Sequence, residues 1–445
     1  MVQPYARAAV TLVLGLMAGC ASYAPLPLNK SATMKDRVEQ LDVEAHPLPP
    51  QLGIDDIALL ALRNNPDLVA ARAQRGLAQA QMLAAGIAPN PSLNGSYGFL
   101  LGGPGTIGAL AAGLSQDLKS LVTLSSRRVS AAHAARQVDA RLLWQEWQTV
   151  AKARLLATDL VEGEKQHRVL EQNAQLLQEL LSRNREALAQ GDTTLTALVP
   201  DLSAAAGSRK QLDDLQRQQE TRRRDLNVLL GLSPLASLPL SDSLDLPVID
   251  ATAAERALFN LADRRPDLVA LQLGYRSQDE RVRGAILAQF PMLSLGIAGG
   301  HDNSNVRTLG PQITIDLPLF NRNQGNIEVE IATRQQLRDE FTARLMTAKA
   351  EVQSLLADIA LLQSQLATKR PQLTELEQTA ARAQGAYRAG DLDERTYVDV
   401  VSARSAKQQE ILLIEQTLLE QQIAVATLIG AGMPPVTMDA QEMKS

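Results

Sequence analysis

The sequence predicts a mainly α-helical chain with a small β part, laid out twice along its length. Three observations predict it. Short motifs recur in the same order at a spacing of about 200 residues. Each half holds a stretch of about 65 residues with helical patterning and no cluster of breakers apart from Pro371. Each half also holds two short runs of strand character around a turn.

The chain opens on a targeting segment, residues 1–19. Ala8 to Gly19 are almost all apolar and follow Arg7. The run is shorter than the roughly 20 apolar residues a helix needs to cross a bilayer, and fits the hydrophobic region of a secretory signal peptide. It closes on Leu16-Met17-Ala18-Gly19-Cys20, and Cys20 is the only cysteine of the chain. This resembles the bacterial lipobox, in which the peptide is cut before the cysteine and the thiol is acylated. Palmitate-class chains contribute about 0.8 kcal/mol per buried methylene, so several anchor stably. An ordinary signal peptide with an incidental buried cysteine is the alternative. Ala21 follows, and the lipoprotein resemblance implies sorting to the outer membrane. Residues 20–50 then read as a lipidated, Pro-rich tether or a strap lying on the body.

The recurrence defines the body. Pro66-Asp67-Leu68-Val69-Ala70 returns as Pro266-Asp267-Leu268-Val269-Ala270. Ala88, Pro91 and Leu93 return as Ala288, Pro291 and Leu293, and Asp117-Leu118 as Asp316-Leu317. Gly191-Asp192 returns as Gly390-Asp391, and Gly231 as Gly430. Collinear matches of this kind are the mark of an internal repeat. The halves are residues 51–234 and 251–434, joined by a Pro/Ser/Leu-rich linker at 235–250 and followed by a tail at 435–445.

Each half reads in one order. A helix comes first, at 54–87 and 251–287. The strand runs follow, at 92–101 and 107–118 around Gly102-Gly103-Pro104-Gly105, and at 292–298 and 312–319 around a polar surface turn at 299–305. Ile313, Ile315 and Leu317 alternate with Thr314 and Asp316, the period of two of a strand with one wet face. The long helices span 124–189 and 325–389. The second carries an apolar heptad, Leu345, Val352, Ile359, Leu366 and Leu373, with Leu355, Leu362 and Leu376 at companion positions. That argues for coiled-coil packing, with a single amphipathic helix on a globular body as the alternative. Pro371 is expected to bend or break it. Gly191 and Gly390 stop the long helices as left-handed caps. Return helices at 194–230 and 394–429 complete each half, and Pro66 and Pro266 read as structural first-turn prolines beside an acidic residue.

Composition narrows the function. The chain has 445 residues, 45% hydrophobic and 21% charged, with aromatics at only 3%, so aliphatic side chains supply most of the packing. A formal charge of -5 argues against a nucleic-acid binder. One cysteine and four scattered histidines, His46, His133, His167 and His301, exclude a Cys/His zinc cluster. The glycines at 102–105 precede a strand rather than a helix, so they lack phosphate-loop geometry. No catalytic constellation or cofactor motif is visible, and the chain reads as a non-enzyme.

The ordered pieces resemble the TolC-like outer-membrane efflux family. They are Arg264-Arg265-Pro266-Asp267-Leu268, Phe290-Pro291, Ile315-Asp316-Leu317-Pro318-Leu319-Phe320, and Tyr387-Arg388-Ala389-Gly390-Asp391 with Tyr397-Val398-Asp399-Val400. The resemblance spans about 51–434. It implies a homotrimer in which each chain gives four strands to one outer-membrane β-barrel, continued by a long periplasmic α-helical barrel. It further implies the exit duct of a tripartite efflux system, with a periplasmic membrane-fusion adaptor and an inner-membrane RND-type transporter that supplies the energy. A type I protein-secretion duct and a poreless, lipid-anchored periplasmic scaffold are the alternatives. The run Leu317 to Gly325 resembles members associated with heavy-metal efflux.

Family resemblance also marks candidate site residues. Asp399 matches an acidic position that rings the closed end of the tunnel, where the position three further on is Ser402. Three carboxylates would form a cation-attracting constriction; a solvated surface Asp is the plain alternative. The turns at Gly191-Asp192 and Gly390-Asp391 are where the adaptor would dock. Asp391 and Asp393 would cap the next helix or repel at the tip. Few aromatics stand near the strands to form interfacial girdles: Tyr97, Phe99, Phe290 and Phe320.

Overall fold

The computed structural model describes residues 23–31, 33–43, 48–105, 107–242 and 250–433. The signal segment 1–19, Cys20, His46, part of the linker and the tail 435–445 lie outside the described residues.

Each half begins with helix, and in both the helix is interrupted rather than continuous. The first half has α1 (Ile54–Asn64) and α2 (Pro66–Gly86); the second has α6 (Ala251–Phe259), α7 (Leu261–Arg264) and α8 (Pro266–Leu287). The single helices expected at 54–87 and 251–287 are therefore corrected. The cause is local: a residue before proline is pushed out of the helical region. Asn65 sits at φ -59, ψ 122 and Arg265 at φ -80, ψ 118, and Pro66 and Pro266 then start the next helix. Asn65 is buried and caps α2 by accepting from Leu68 N at 3.0 Å, while its Nδ2 donates to Leu229 O at 2.9 Å.

Four strands follow the helices: β1 (Ser92–Gly98) and β2 (Ala109–Asp117) in the first half, β3 (Met292–His301) and β4 (Arg307–Asp316) in the second. The first hairpin is shorter than expected, because residues 99–105 and 107–108 do not pair. The second is longer. Gly299, Gly300 and His301, expected in a surface turn, extend β3 and pair with Leu309, Thr308 and Arg307. The turn is confined to 302–306, where the Asp302 carboxylate accepts from Ser304 N and Val306 N. A polar, Gly-rich sequence carries no alternation, so the ladder was not visible there. The hairpins join through β2 and β3, giving one antiparallel sheet ordered β1-β2-β3-β4.

A short helix, α3 (Leu118–Val122), leads into the first long helix, α4 (Leu124–Gln190), and its return α5 (Leu195–Leu229). The second pair is α9 (Gln324–Ala389) and α10 (Glu394–Ile429). The 67 residues of α4 at 1.5 Å each reach about 100 Å. Pro371 does not break α9, and Pro200, inside α5, is likewise carried through. Both prolines are exposed, so their rings meet solvent, and the packing of long flanking segments outweighs the roughly 3 kcal/mol of one interior proline. Of the α9 heptad, Val352 and Leu366 are buried and Leu345, Ile359 and Leu373 half-buried.

The core is several clusters along the rod. Ile57, Leu60 and Ala61 of α1 pack with Ala153, Ala157 and Leu160 of α4, with Leu226 and Leu229 of α5, and with Leu52. Val38 and Leu41 of the N-terminal strap join this cluster, and Lys35 and Leu52 bridge to Leu232 and Leu240. In the second half α6 covers Val352, Val425 and Ile429. The Arg265-Pro266-Asp267 motif is a buried tie: the Arg265 guanidinium bonds Asp267 at 2.8 Å, lies 4.7 Å over the Trp144 ring of α4, and Arg344 of α9 reaches the same carboxylate at 3.0 Å.

Side by side, the elements form three stacked sections: the sheet, then α2–α4–α8–α9, then α5–α4–α10–α9.

Candidate functional site

The sheet is two-faced. Residues paired across strands share a face. One face carries Leu93 and Tyr97 of β1, Leu110 and Leu114 of β2, Leu293, Leu295 and Ile297 of β3, and Leu309, Ile313 and Ile315 of β4. The other carries Ser, Asn, Gly, Ala, Thr and Gln, with the carboxylates Asp117 and Asp316 at one end. On the apolar face Leu93, Ile297, Leu309 and Ile313 are all more than half exposed. An apolar face of this kind is what a membrane strand presents to lipid. Phe99 stacks edge-on with Tyr97 at 4.9 Å, and Phe290 and Phe320 are exposed. Among the described residues, no helix is long and apolar enough to cross a membrane.

At the far end of the rod the two helix turns are built alike. Gly191 has φ 85 and Gly390 φ 83, the left-handed region where a side chain would be strained. Asp192 N donates to Ala187 O at 2.9 Å, and Asp391 N to Ala386 O at 2.9 Å. Thr194 caps α5. Asp393, not Asp391, caps α10, accepting from Thr396 N at 2.9 Å and from the Thr396 hydroxyl at 2.6 Å. The Thr396 hydroxyl, then the backbone N–H, hold the Asp393 carboxyl below its ordinary value.

Polar ties cross between the hairpins just behind these turns. Arg183 of α4 donates to Glu394 of α10 at 2.6 Å and to the Tyr387 hydroxyl of α9 at 3.1 Å. Glu394 raises the Arg183 guanidinium further above its usual value. Arg395 of α10 meets Asp201 of α5 at 2.8 Å, and Asn184 donates to the same buried carboxylate at 2.7 Å. Tyr387 and Tyr397 stack at 5.0 Å, and Tyr397 packs on Leu177, Leu180, Leu181, Ala205 and Val398. All four long helices meet here.

Of the sequence candidates, Gly191, Asp192, Gly390 and Asp391 form the two turns. Asp399 is exposed on α10 beside buried Val398, and Ser402, one turn on, is half-buried. His301 ends β3 at the sheet's other end. Arg183, Asp201, Glu394 and Arg395 escaped sequence reasoning. Their partners lie in other helices, beyond the reach of any local sequence pattern.

Known proteins share this plan. Residues 258–431 match the family model described as outer membrane efflux protein. The chain is 25% identical over 410 residues to the pyoverdine export outer membrane protein OpmQ of Pseudomonas putida, covering 85% of this chain and 86% of that one. It is 27% identical over 182 residues to the probable outer membrane lipoprotein SilC of Salmonella typhimurium, 38% of this chain and 39% of that one. Among solved structures it resembles CusC, described in terms of transmembrane channel formation, with a TM-score of 0.66 and 21% identity over 92% of this chain and 99% of that one. Sequence and architecture agree: residues 258–431 carry the outer membrane efflux protein pattern, and the chain along most of its length resembles outer membrane export proteins, which are channels rather than enzymes.

Proposed function

We propose that three copies of this chain close into one hollow ring that serves as the exit duct of a tripartite efflux system. One observation carries the reading: every section of the molecule is left open at both sides. Among the described residues, the sheet ends in unpaired β1 and β4. The upper helical section ends in α2 and α9, the lower in α5 and α9. The first-half elements β1, α2 and α5 lie at one side and the second-half β4 and α9 at the other. Unpaired strand edges are not tolerated in lipid, so the β1 edge of one copy needs the β4 edge of another. Repetition of that contact closes a ring. The number three comes from the family resemblance and gives twelve strands.

Dimensions support the reading. The 10 residues of β4 span about 33 Å, which at a tilt of about 40° gives a band near 25 Å tall, the height of an outer-membrane apolar belt. The apolar face meets lipid and the small polar face lines the bore. Cys20 carries the lipid that holds the strap to the outer membrane, and the likeness to a lipoprotein such as SilC supports that anchor. The helical part extends through the periplasm. The turns at Gly191-Asp192 and Gly390-Asp391 receive the membrane-fusion adaptor, Asp399 with Ser402 lines the narrow end, and an RND-type transporter drives export.

The cargo is a small molecule or a heavy-metal cation. Likeness to a pyoverdine exporter over most of the chain supports the first, and the Leu317–Gly325 run supports the second. A susceptibility panel of copper, silver, zinc, cadmium, cobalt and amphipathic drugs, on a deletion strain with and without the gene restored, tests this. Restored resistance to metals alone or to drugs alone assigns the class. No change in any arm contradicts the efflux reading.

A further inference from the structure

The seam between α4 and α10, which joins the first hairpin to the second, changes character along its length. Near the turns it is apolar, with Leu177, Leu180 and Leu181 against Val398. At its other end the Trp147 indole donates to Thr427 O at 3.2 Å. Between them it is polar and buried. Gln166 Nε2 donates to Gln416 Oε1 at 2.7 Å, and Gln409 Nε2 to Gln166 O at 2.7 Å. Gln416 Nε2 then donates to two carboxyls at once, Asp159 Oδ1 at 2.9 Å and Glu420 Oε1 at 2.8 Å. Gln166 and Gln416 are buried, and the Asp159 side chain is 15% exposed.

Two carboxyls on one amide nitrogen lie within reach of each other, and like charges so placed cannot both ionise freely. Arg222 of α5 is the cation at hand, with Nε 3.3 Å from Asp159 Oδ2. The remaining charges around the pair are engaged or exposed. Glu162 of α4 takes Lys165 at 2.7 Å. From α9, Lys369 is engaged with Glu410 and Arg370 with Glu415, and Asp358 is exposed. Arg223 and Arg224 of α5 are exposed. One guanidinium therefore faces two carboxyls.

We propose that Asp159 and Glu420 form a pH-sensitive joint between the two helical hairpins: one shared proton holds α10 to α4, and loss of that proton parts them at this level. The direction follows from the charge balance. With the proton in place the pair carries one negative charge, matched by Arg222. Without it, two carboxylates repel across the seam, and water replaces the Gln416 bonds at little loss because every group there is polar. Burial first, then Asp159, pushes the Glu420 carboxyl up to about 7. Between the ordinary glutamate value and about 7 the joined seam holds a proton that the parted, hydrated seam does not. Rising pH across that window favours parting. A change of duct bore with pH would rest on the channel reading; the parting of the helices does not, and is measured as a distance.

The test uses the full, lipidated chain in detergent micelles, diluted with unlabelled chain. Spin labels are placed by Glu164→Cys on α4 and Leu413→Cys on α10, both exposed positions flanking the seam. The distance distribution is recorded about one pH unit either side of the Glu420 midpoint. The joint predicts a longer and broader distribution at the higher pH. Glu420→Gln, which keeps a donor for Asp159 and cannot ionise, should hold the short distance throughout. Asp159→Asn removes the same repulsion from the other side and serves if the first variant does not assemble. An equal pH response in wild type and both variants, or no response in wild type, overturns the proposal.

Discussion

Replacing Arg395 with Ala removes one of the ties behind the helix turns. Its guanidinium meets Asp201 at 2.8 Å, and the Asp201 side chain is only 3% exposed. Breaking a fully buried ion pair costs about 3–5 kcal/mol, because a charge is left without its partner. Two features reduce that figure here. Arg395 is 44% exposed, so water enters where it leaves, and Asn184 still donates to Asp201 at 2.7 Å. The remaining cost is roughly 1–3 kcal/mol, a factor of about five to a hundred and fifty in local opening. Native-state hydrogen exchange of the first turns of α5 reads that opening. Arg395→Ala should speed exchange there and leave the α1–α4 core unchanged. Asp201→Asn, which removes the charge and keeps the shape, should recover part of the loss in the double variant. Independent, additive effects of the two substitutions would refute the reasoning, since residues in one ion pair must couple.

Three further outcomes are expected. Asn65→Ala loses both the cap on α2 and the bond to Leu229 O, and should destabilise the α1–α2 corner by about 1–3 kcal/mol; a loss below about 0.5 kcal/mol in denaturant unfolding, the range of ordinary surface changes, contradicts that role. Cys20→Ala should abolish acylation, and an unchanged mass of the mature chain would sink the lipid anchor. Asp399→Ala should raise single-channel conductance or relieve block by cations, and unchanged behaviour returns Asp399 to the solvated surface.

Much of the rod was legible because its signals are local. A glycine that must be left-handed ends each long helix, so Gly191 and Gly390 mark the turns within one residue, and α10 spans the range its caps predict. The breaks at Asn65 and Arg265 were also written locally: Pro66 and Pro266 read as first-turn prolines and do start helices, although the apolar pattern on either side had suggested one continuous helix in each half. β3 escaped beyond Ala298 because Gly299-Gly300-His301 pairs by backbone bonds that no side-chain pattern announces. Pro371 misled in the other direction: one lost donor is a small term against 66 residues of packed helix. The ties around Asp201 and the Asp159–Glu420 pair were invisible for another reason. Arg395 and Asp201 stand about 190 residues apart and Glu420 and Asp159 about 260, and each pair meets only because the two hairpins pack side by side.

The most direct test of the central claim is the native mass of the mature chain extracted from outer membranes in mild detergent, with end-on images of the same particles. The account predicts three copies around an open centre, with the β1 edge of each beside the β4 edge of the next. A monomer or a closed two-copy particle, with no central opening, would contradict it.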